Sequence, residues 1–164
     1  MATRETVYKK DLSSKKIFVT REFDAPVEKI WKAWTEPSLL DQWWAPKPWK
    51  ANTQEMDFRE GGHWRYYMQG PEGERHYCRA DYETIVPNRS YTGLDAFCDE
   101  QGKINEEFPR MHWKVVFNPS GKGTKADIEI TFTKVEDLEK IIEMGFQEGF
   151  RMAHENLDEL LTKI

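Results

Sequence analysis

The sequence predicts an α+β fold in which a curved antiparallel sheet of about seven strands packs around one long C-terminal helix. Three features lead to this prediction. A strand pattern near the N-terminus is followed by two short helical patterns, regularly spaced turns divide the middle of the chain into extended runs, and a helical pattern closes it. The 164 residues suit one domain, over 15–164, with residues 1–14 expected to be a loosely ordered N-terminal lead-in.

The first element is a strand in the run IFVTREF, which is rich in β-branched and aromatic residues. A short helix follows in DAPVEKIWKAWTEP, with Asp24 as candidate N-cap and Pro26 in the first turn. Pro37 ends that helix, and PSLLDQWW begins a second one. The apolar face of the first helix consists of Val27, Ile30, Trp31 and Trp34.

The stretch LLDQWWAPKPW, residues 39–49, holds three of the seven tryptophans. Pro46 and Pro48 exclude one continuous helix, so the indoles must be buried by other elements. Adjacent helical residues point about 100° apart. We therefore expect one of Trp43 and Trp44 to fill the core and the other to line or cover a cavity, and the pattern leaves open which does which.

Turn sequences then separate six extended runs. They lie at residues 50–58, 62–69, 75–86, 90–98, 111–118 and 124–133. The last run alternates most strictly, which is typical of an antiparallel sheet with one face in water. Its predicted outer residues are Lys125, Asp127 and Glu129, and its predicted inner residues are Ala126, Ile128, Ile130 and Phe132.

The same alternation assigns inner faces to three other runs. In HYCRADYETIV the predicted inner residues are Cys78, Ala80, Tyr82 and Val86, with Arg79, Asp81 and Glu83 outside. In the other two runs the shared faces are Trp64, Tyr66 and Met68, and Met111, Trp113, Val115 and Phe117.

The final helix is predicted to run unbroken from about Glu136 to Thr162. Two glycines on its inner stripe suggest either close approach of another backbone or open space above the sheet, and the sequence does not separate these two. The inner stripe at helical spacing is Leu138, Ile142, Gly145, Gly149, Met152, Ala153, Asn156 and Leu160.

Composition limits the possible functions. The net charge of −5 is spread along the chain, which disfavours a nucleic-acid partner. The N-terminus has no apolar stretch that could act as a signal or membrane span, so we expect a cytoplasmic protein. The two cysteines and four histidines match no metal or redox spacing, so no metal or cofactor is expected. No GxSxG motif or phosphate-binding loop occurs, so no catalytic constellation can be identified and a non-enzyme is favoured.

Several motifs in order resemble one known family. TREFDAPVEKIWKAWTEPSLLDQWWAPKPW, DFREGGHWRYYM and EGFRMAHENLDEL are similar to segments of the proteins that are like the activator of heat-shock-protein-90 ATPase homologue. That family lies in the START and birch-pollen-allergen (SRPBCC) superfamily of helix-grip folds. The resemblance spans Ile17 to Leu161 and departs at Phe150, where the family usually has tryptophan. It implies a helix-grip fold, which hosts ligand carriers, enzymes and partner-binding modules.

A set of aromatic and polar residues is a candidate for lining a cavity between the sheet and the last helix. Asp95 is its most distinctive member, because strand parity places it on one face with Tyr91 and Phe97, although it could instead lie on the open face of the sheet. The candidate ligand-binding residues are Trp44, Trp64, Tyr66, Met68, Tyr82, Asp95, His112, Trp113, Gly145, Gly149 and Met152.

Three functions are compatible with these observations. The leading hypothesis is binding of a small apolar or amphipathic molecule between the sheet and the helix. The first alternative is a protein-partner module, chaperone-linked or stress-related as the resemblance implies, although the family's co-chaperones carry a further N-terminal domain for which this chain is too short. The second is an enzyme with Asp95, Tyr82 or His112 as acid or base. Met144, predicted opposite the inner stripe, is compatible with a monomer or a weak homodimer.

Overall fold

The computed structural model describes residues 5–164, which form eight strands and four helices. The strands are β1 (Val7–Asp11), β2 (Lys16–Phe23), β3 (Lys50–Met56), β4 (His63–Gln69), β5 (Arg75–Val86), β6 (Ser90–Cys98), β7 (Met111–Ser120) and β8 (Gly123–Thr131). The helices are α1 (Val27–Thr35), α2 (Pro37–Trp43), α3 (Val135–Glu143) and α4 (Phe146–Leu161).

All eight strands form one antiparallel sheet in the order β1-β2-β8-β7-β6-β5-β4-β3. After β2 the chain crosses through α1 and α2 to the far edge of the sheet and returns strand by strand to β8, which pairs with β2. The crossing places α2 against both β3 and α4. The sheet and the C-terminal helices thus enclose one core, which is the predicted architecture.

Alternation along β8 and its neighbours builds the centre of that core. The inner side chains of β8 are at most 2% exposed, and Ile128 pairs with Val19 on one side and Val115 on the other. Trp64, Tyr66 and the four inner residues of β7 are buried as predicted. Because a register slip by one residue would expose every one of these side chains, the apolar pattern fixes the pairing.

The N-terminal segment contains more structure than predicted. Residues 7–11 of the expected lead-in form β1, so the sheet has eight strands rather than about seven. The Tyr8 hydroxyl donates a hydrogen bond to the Gln147 carbonyl at 2.6 Å, and Thr6 Oγ1 lies 3.0 Å from Nδ1 of His154. These contacts tie the segment to α4 and explain why a polar sequence adds a strand.

A bulge in β5 overturns the prediction that Val86 faces the core. The pairing of β5 with β6 shifts between Tyr82 and Thr84. One additional residue reverses the inward and outward alternation beyond it. Val86 is therefore 52% exposed, and Ile85 packs against the core in its place.

The prediction of one unbroken C-terminal helix is also wrong. Gly145 adopts the left-handed conformation with φ of +90°, and it separates α3 from α4. The break changes the direction in which the following residues point, so an apolar stripe extrapolated across it at helical spacing no longer marks the buried side of α4. Met152 and Asn156 are consequently only half-buried, and the buried side of α4 consists of Phe150, Ala153, His154, Leu157, Leu160 and Leu161.

Candidate functional site

An open cavity of about 350 Å³ lies between the inner face of β4–β7 and the C-terminal helices. Most of its wall is aromatic or aliphatic, which is typical of sites for small apolar molecules. The helices contribute Ile141, Met144, Gly145, Phe146, Gly149 and Phe150, and the sheet contributes Tyr66, Met68, His76, Cys78, Arg79, Asp95, Ala96, Phe97, Met111 and Trp113. The segment after α2 adds Trp44, Pro46 and Trp49.

The two adjacent tryptophans at the C-terminal end of α2 have different roles, as the helical geometry predicts. Trp43 is fully buried, and its indole N–H donates a hydrogen bond to the Ala33 carbonyl at 2.9 Å. Trp44 is half-buried, lines the cavity, and donates its N–H to the Tyr66 hydroxyl at 3.0 Å. Trp43 therefore fills the core, whereas Trp44 forms part of the cavity wall.

The two glycines of the predicted stripe serve different purposes. A side chain at Gly149 would meet only Pro46 Cγ within 4 Å, at 3.7 Å, so the space beneath this part of α4 is open. Close approach of another backbone is excluded at that position. Gly145 lines the cavity as well, but its left-handed conformation identifies it as the break between the helices.

Asp95 lies on the inner face, opposite Ala80 of β5 and Met111 of β7. Its side chain lines the cavity, so the alternative of the open sheet face is excluded. Burial raises the pKa of this carboxyl to about 8, against the lowering effect of the Arg110 charge, and Asp81 adds a small raising effect. A large part of the Asp95 population is therefore a neutral carboxylic acid at pH 7.

Three titratable side chains on the inner face beside Asp95 are also neutral at pH 7. Burial raises the pKa of the Cys78 thiol to about 12 and holds the pKa values of Tyr66 and Tyr82 well above their usual range. Cys78 is 7% exposed on the predicted inner face, where it packs as a small buried apolar residue. The thiol is thus a poor nucleophile, since the thiolate is the reactive form.

Four predicted site residues do not line this cavity. Trp64 and Tyr82 border a smaller adjoining recess of about 20 Å³, which shares Asp95 with the main cavity. His112 lies on the outer face of the sheet, 2.8 Å from Glu83, because it alternates with the buried Met111 and Trp113. Met152 is turned away because Gly145 resets the phase of the helix.

Several lining residues were absent from the sequence-based set. Cys78, Phe97 and Met111 lie on faces that strand parity had already identified, so that signal was sufficient to include them. Phe146 and Phe150 depend on the helical phase after Gly145, which the extrapolated stripe did not follow. Met144, at 51% exposure, lies at the rim of the cavity rather than opposite it.

The described residues contain neither a metal-binding cluster nor a membrane-spanning helix. Across residues 5–164, no three or more histidine, cysteine, aspartate or glutamate side chains are grouped so that they could hold a metal ion. No helix in that same range is both long and apolar enough to cross a membrane.

A curved antiparallel sheet packed around C-terminal helices, with an aromatic-lined cavity between them, defines a helix-grip domain. Residues 24–162 match the family described as Activator of Hsp90 ATPase homolog 1-like protein. The chain belongs to this family, as its motifs had indicated. No curated protein matches the sequence.

Solved structures agree with this assignment. A solution NMR structure of a protein from Arthrobacter aurescens has a TM-score of 0.90 and 33% identity, covering 96% of this chain and 92% of that one. A crystal structure of a protein from Mycobacterium smegmatis has a TM-score of 0.89 and 31% identity, covering 96% and 97%. A protein from Silicibacter pomeroyi, at 18% identity, 90% and 97% coverage and a TM-score of 0.71, shows the fold alone.

Proposed function

We propose that this domain binds a small apolar or amphipathic molecule in the cavity between β4–β7 and the C-terminal helices. The observation that carries the proposal is the open volume of about 350 Å³ beneath Gly149. Ligand sites for small molecules commonly span about 300–1,000 Å³. A filled interior would instead have favoured the partner-binding alternative, in which the domain acts through its outer surface.

The chemistry of the wall supports a ligand that is mainly apolar. Trp44, Trp113 and Phe150 lie with ring centroids 5.7–6.0 Å apart, so they present a large aromatic surface. Transfer of apolar area from water to such a surface is favourable by about 25 cal/mol per Å². Asp95 and the Tyr66 hydroxyl are two of the polar groups in the wall that could orient a ligand, and this makes an amphipathic molecule suitable.

The geometry gives little support to the acid–base enzyme considered from sequence. His112 is on the opposite face of the sheet from Asp95 and Tyr82, and it pairs with Glu83. Burial keeps the Tyr82 pKa well above its usual range, so its hydroxyl is a weak acid. Neither of the other two candidates is therefore placed to act with Asp95 as an acid–base pair, and binding is the simpler proposal.

The experiment is a titration of fatty acids, flavonoids and sterols, followed by two-dimensional NMR of the indole and backbone N–H signals. Saturable shifts should cluster on Trp44, Tyr66 and the segment 145–150. Trp31 provides the internal control, because it packs against Phe58 and Phe117 and does not line the cavity. An affinity in the micromolar range, about −8 kcal/mol, would be typical of such a site.

Shifts confined to the outer face of the sheet, or none from the whole panel, would reject ligand binding in the cavity. Gly149→Leu supplies the matched test, since its side chain would extend into the open space under α4. A ligand that occupies the cavity should bind this variant at least tenfold more weakly. Equal binding would place the ligand elsewhere.

A further inference from the structure

Asp95 on the inner face differs from the nearby Asp81, which alternates to the outer face of the sheet, because Asp95 forms no hydrogen bond or ion pair with any described residue. Its neighbour Asp81 accepts hydrogen bonds from Arg79 at 2.6 and 3.1 Å and from Arg110 at 3.0 Å. Within the described chain, 5–164, no group donates a hydrogen bond to the Asp95 carboxyl, which lines the cavity. Asp95 is half-buried, and an acidic side chain among apolar groups without a donor costs folding free energy, so it requires an explanation.

The basic side chains at the cavity do not supply that partner. The Arg79 guanidinium is occupied by Asp81 and by the Gly102 carbonyl at 2.7 Å. His76 packs against Trp49 at a ring separation of 5.2 Å. Arg110 lowers the Asp95 pKa through its charge, but its guanidinium binds Asp81, so no basic side chain among residues 5–164 forms an ion pair with Asp95.

The surroundings of Asp95 match what an organic cation needs. Trp44, Trp113 and Phe150 line the same cavity, and aromatic faces attract ammonium groups through their quadrupoles. A carboxylate supplies the counter-charge that a buried cation requires. The combination of an unpaired carboxylate with aromatic walls suits a cation better than it suits a fatty acid, whose carboxylate would meet Asp95.

We propose that the ligand is an organic cation, and this proposal rests on the ligand-binding function proposed above. The ligand would consist of an apolar body with one amine or quaternary ammonium group, and that group would pair with Asp95 beside the aromatic wall. The apolar body would occupy the space below Gly149, and the cation would replace the missing donor. The assignment narrows the ligand class from apolar molecules in general to lipophilic amines and related cations.

Binding of such a cation should depend on pH in a specific way. A ligand with a fixed positive charge pairs with the ionised carboxylate, so it must displace the proton that Asp95 carries below its pKa of about 8. The neighbouring titratable groups are Tyr66 on β4, Cys78 and Tyr82 on β5, and Tyr91 on β6, all with raised pKa values. They stay neutral over the range pH 6–8.

Three charged side chains lie near Asp95, and all three are engaged with one another. From the segment before β7, Arg110 acts on Asp95, and from β5, Asp81 and Arg79 lie nearby. Arg110 and Asp81 form an ion pair with each other. The cavity-lining side chains of α3, α4 and the turn between them carry no charge, and they are Ile141, Met144, Phe146 and Phe150. His76 at the rim needs its own control.

The test uses matched pairs of probes in isothermal titration calorimetry at pH 8. The pairs are 2-naphthylmethylamine with 2-naphthylmethanol, and octylamine with octanol. Each amine should bind the native protein at least tenfold more tightly than its alcohol, and Asp95→Asn should remove that difference while the alcohols still bind. For trimethyl(2-naphthylmethyl)ammonium, affinity should rise by up to about tenfold per unit from pH 6 to 8. The increase should be absent in Asp95→Asn and retained in His76→Gln.

The results that would contradict the cation assignment differ from those that would contradict ligand binding in general. Alcohols that bind as tightly as the amines, an unchanged preference in Asp95→Asn, or a flat pH profile in the native protein would overturn the cation assignment while leaving the cavity function intact. The assignment also falls if neutral members of the apolar panel bind and both amines do not. Failure of every probe and every panel member would reject the proposed function itself. The amine and alcohol comparison uses only the native protein, so it remains decisive even if Asp95→Asn does not fold.

Discussion

The indole N–H of Trp44 donates a hydrogen bond to the hydroxyl of Tyr66 across 3.0 Å. This bond joins the end of α2 to the inner face of β4, and the ring of Tyr66 stacks on Trp64 at 3.9 Å. The wall of the cavity is therefore fixed by both packing and a directional contact. A site whose walls are held in this way loses little conformational entropy when a ligand binds.

Tyr66→Phe tests that contact directly. The variant keeps the ring but leaves the Trp44 N–H without an acceptor, so the free energy of unfolding should fall by about 1–2 kcal/mol. Urea denaturation measures the change. Tyr67→Phe is the matched control, because Tyr67 lies on the other face of β4 beside Arg75 and should change stability by less than about 0.5 kcal/mol. Equal effects of the two substitutions would show that the hydrogen bond contributes nothing.

The two glycines at the C-terminal helices should respond to substitution in opposite directions. Gly149→Ala removes a flexible residue from α4 where space is open, so stability should rise by about 0.5–1 kcal/mol. Gly149→Leu should raise or barely lower it. Gly145→Ala should lower stability by about 1 kcal/mol, since φ is +90° there and alanine is strained in that conformation. Thermal melts of all three decide the point, and a stabilising Gly145→Ala would contradict the structural interpretation.

The strands were predictable because their apolar alternation is strict and their turns are marked by glycine and proline. The ranges 75–86 and 90–98 agree with β5 and β6 at both ends. No glycine or proline marks the bulge after Tyr82, and the residues TIV at 84–86 have the composition of a continuous strand. Val86 was therefore assigned to the wrong face. Alternation along a strand predicts which face a residue lies on only as long as the strand has no bulge.

The C-terminal helices show a second limit. The apolar stripe continues across Gly145 at helical spacing, and glycine inside a helix costs only about 1 kcal/mol, so the sequence alone permitted one long helix. Tertiary packing decides in favour of the break. The break also affected the prediction of site residues, because Phe150 and His154 are buried, whereas the extrapolated stripe had placed Met152 and Asn156 on the inner side. Asp95 was identified from parity, but its unpaired state depends on where Arg79 and Arg110 point.

Asp95 should make stability depend on pH between about 4 and 8. Its pKa in the folded protein, about 8, is above the ordinary 3.8, so the folded state holds the proton over a range where the unfolded chain has lost it. Its contribution is fully present below about pH 4 and is lost as pH rises to 8. Relative to Asp95→Asn, the native protein should therefore lose up to about 1.4 kcal/mol per pH unit in that window. Parallel curves for the two proteins in urea melts would contradict the buried carboxyl.

His154 should lower the stability of the folded protein as pH falls, which is opposite to the effect of Asp95. It is fully buried against Phe23 and Phe150, and burial lowers its pKa from 6.5 to about 3, with the Arg21 charge adding to the effect. Below pH 6.5 the unfolded chain takes a proton that the folded state does not, so stability is lost as pH falls toward 3. His154→Leu should be less sensitive to acid than the native protein across that range. If both lose stability at the same rate, His154 titrates normally in the folded state.

The ion pair between Arg21 and Asp158 should be the most sensitive charged contact in the fold. The Arg21 side chain is 1% exposed, and it forms two hydrogen bonds with the Asp158 carboxylate, one of them at 3.1 Å. Asp158→Ala leaves a buried guanidinium without a counter-charge, so it should lower stability by about 3–5 kcal/mol. The double variant Arg21→Met, Asp158→Leu removes both charges, and because no unpaired charge remains it should be more stable than Asp158→Ala alone.

The adjacent residue provides the control for this last prediction. Glu159 pairs with Lys47 at 3.1 Å, but more than half of each side chain is exposed to water. Solvent screens such a pair, so Glu159→Gln should leave the urea midpoint almost unchanged. A loss in Glu159→Gln as large as that in Asp158→Ala would attribute the effect to the C-terminal turn of α4 in general. A double variant less stable than Asp158→Ala would show that Arg21 is stabilised by its contacts with Phe23 and the Glu22 carbonyl rather than by Asp158.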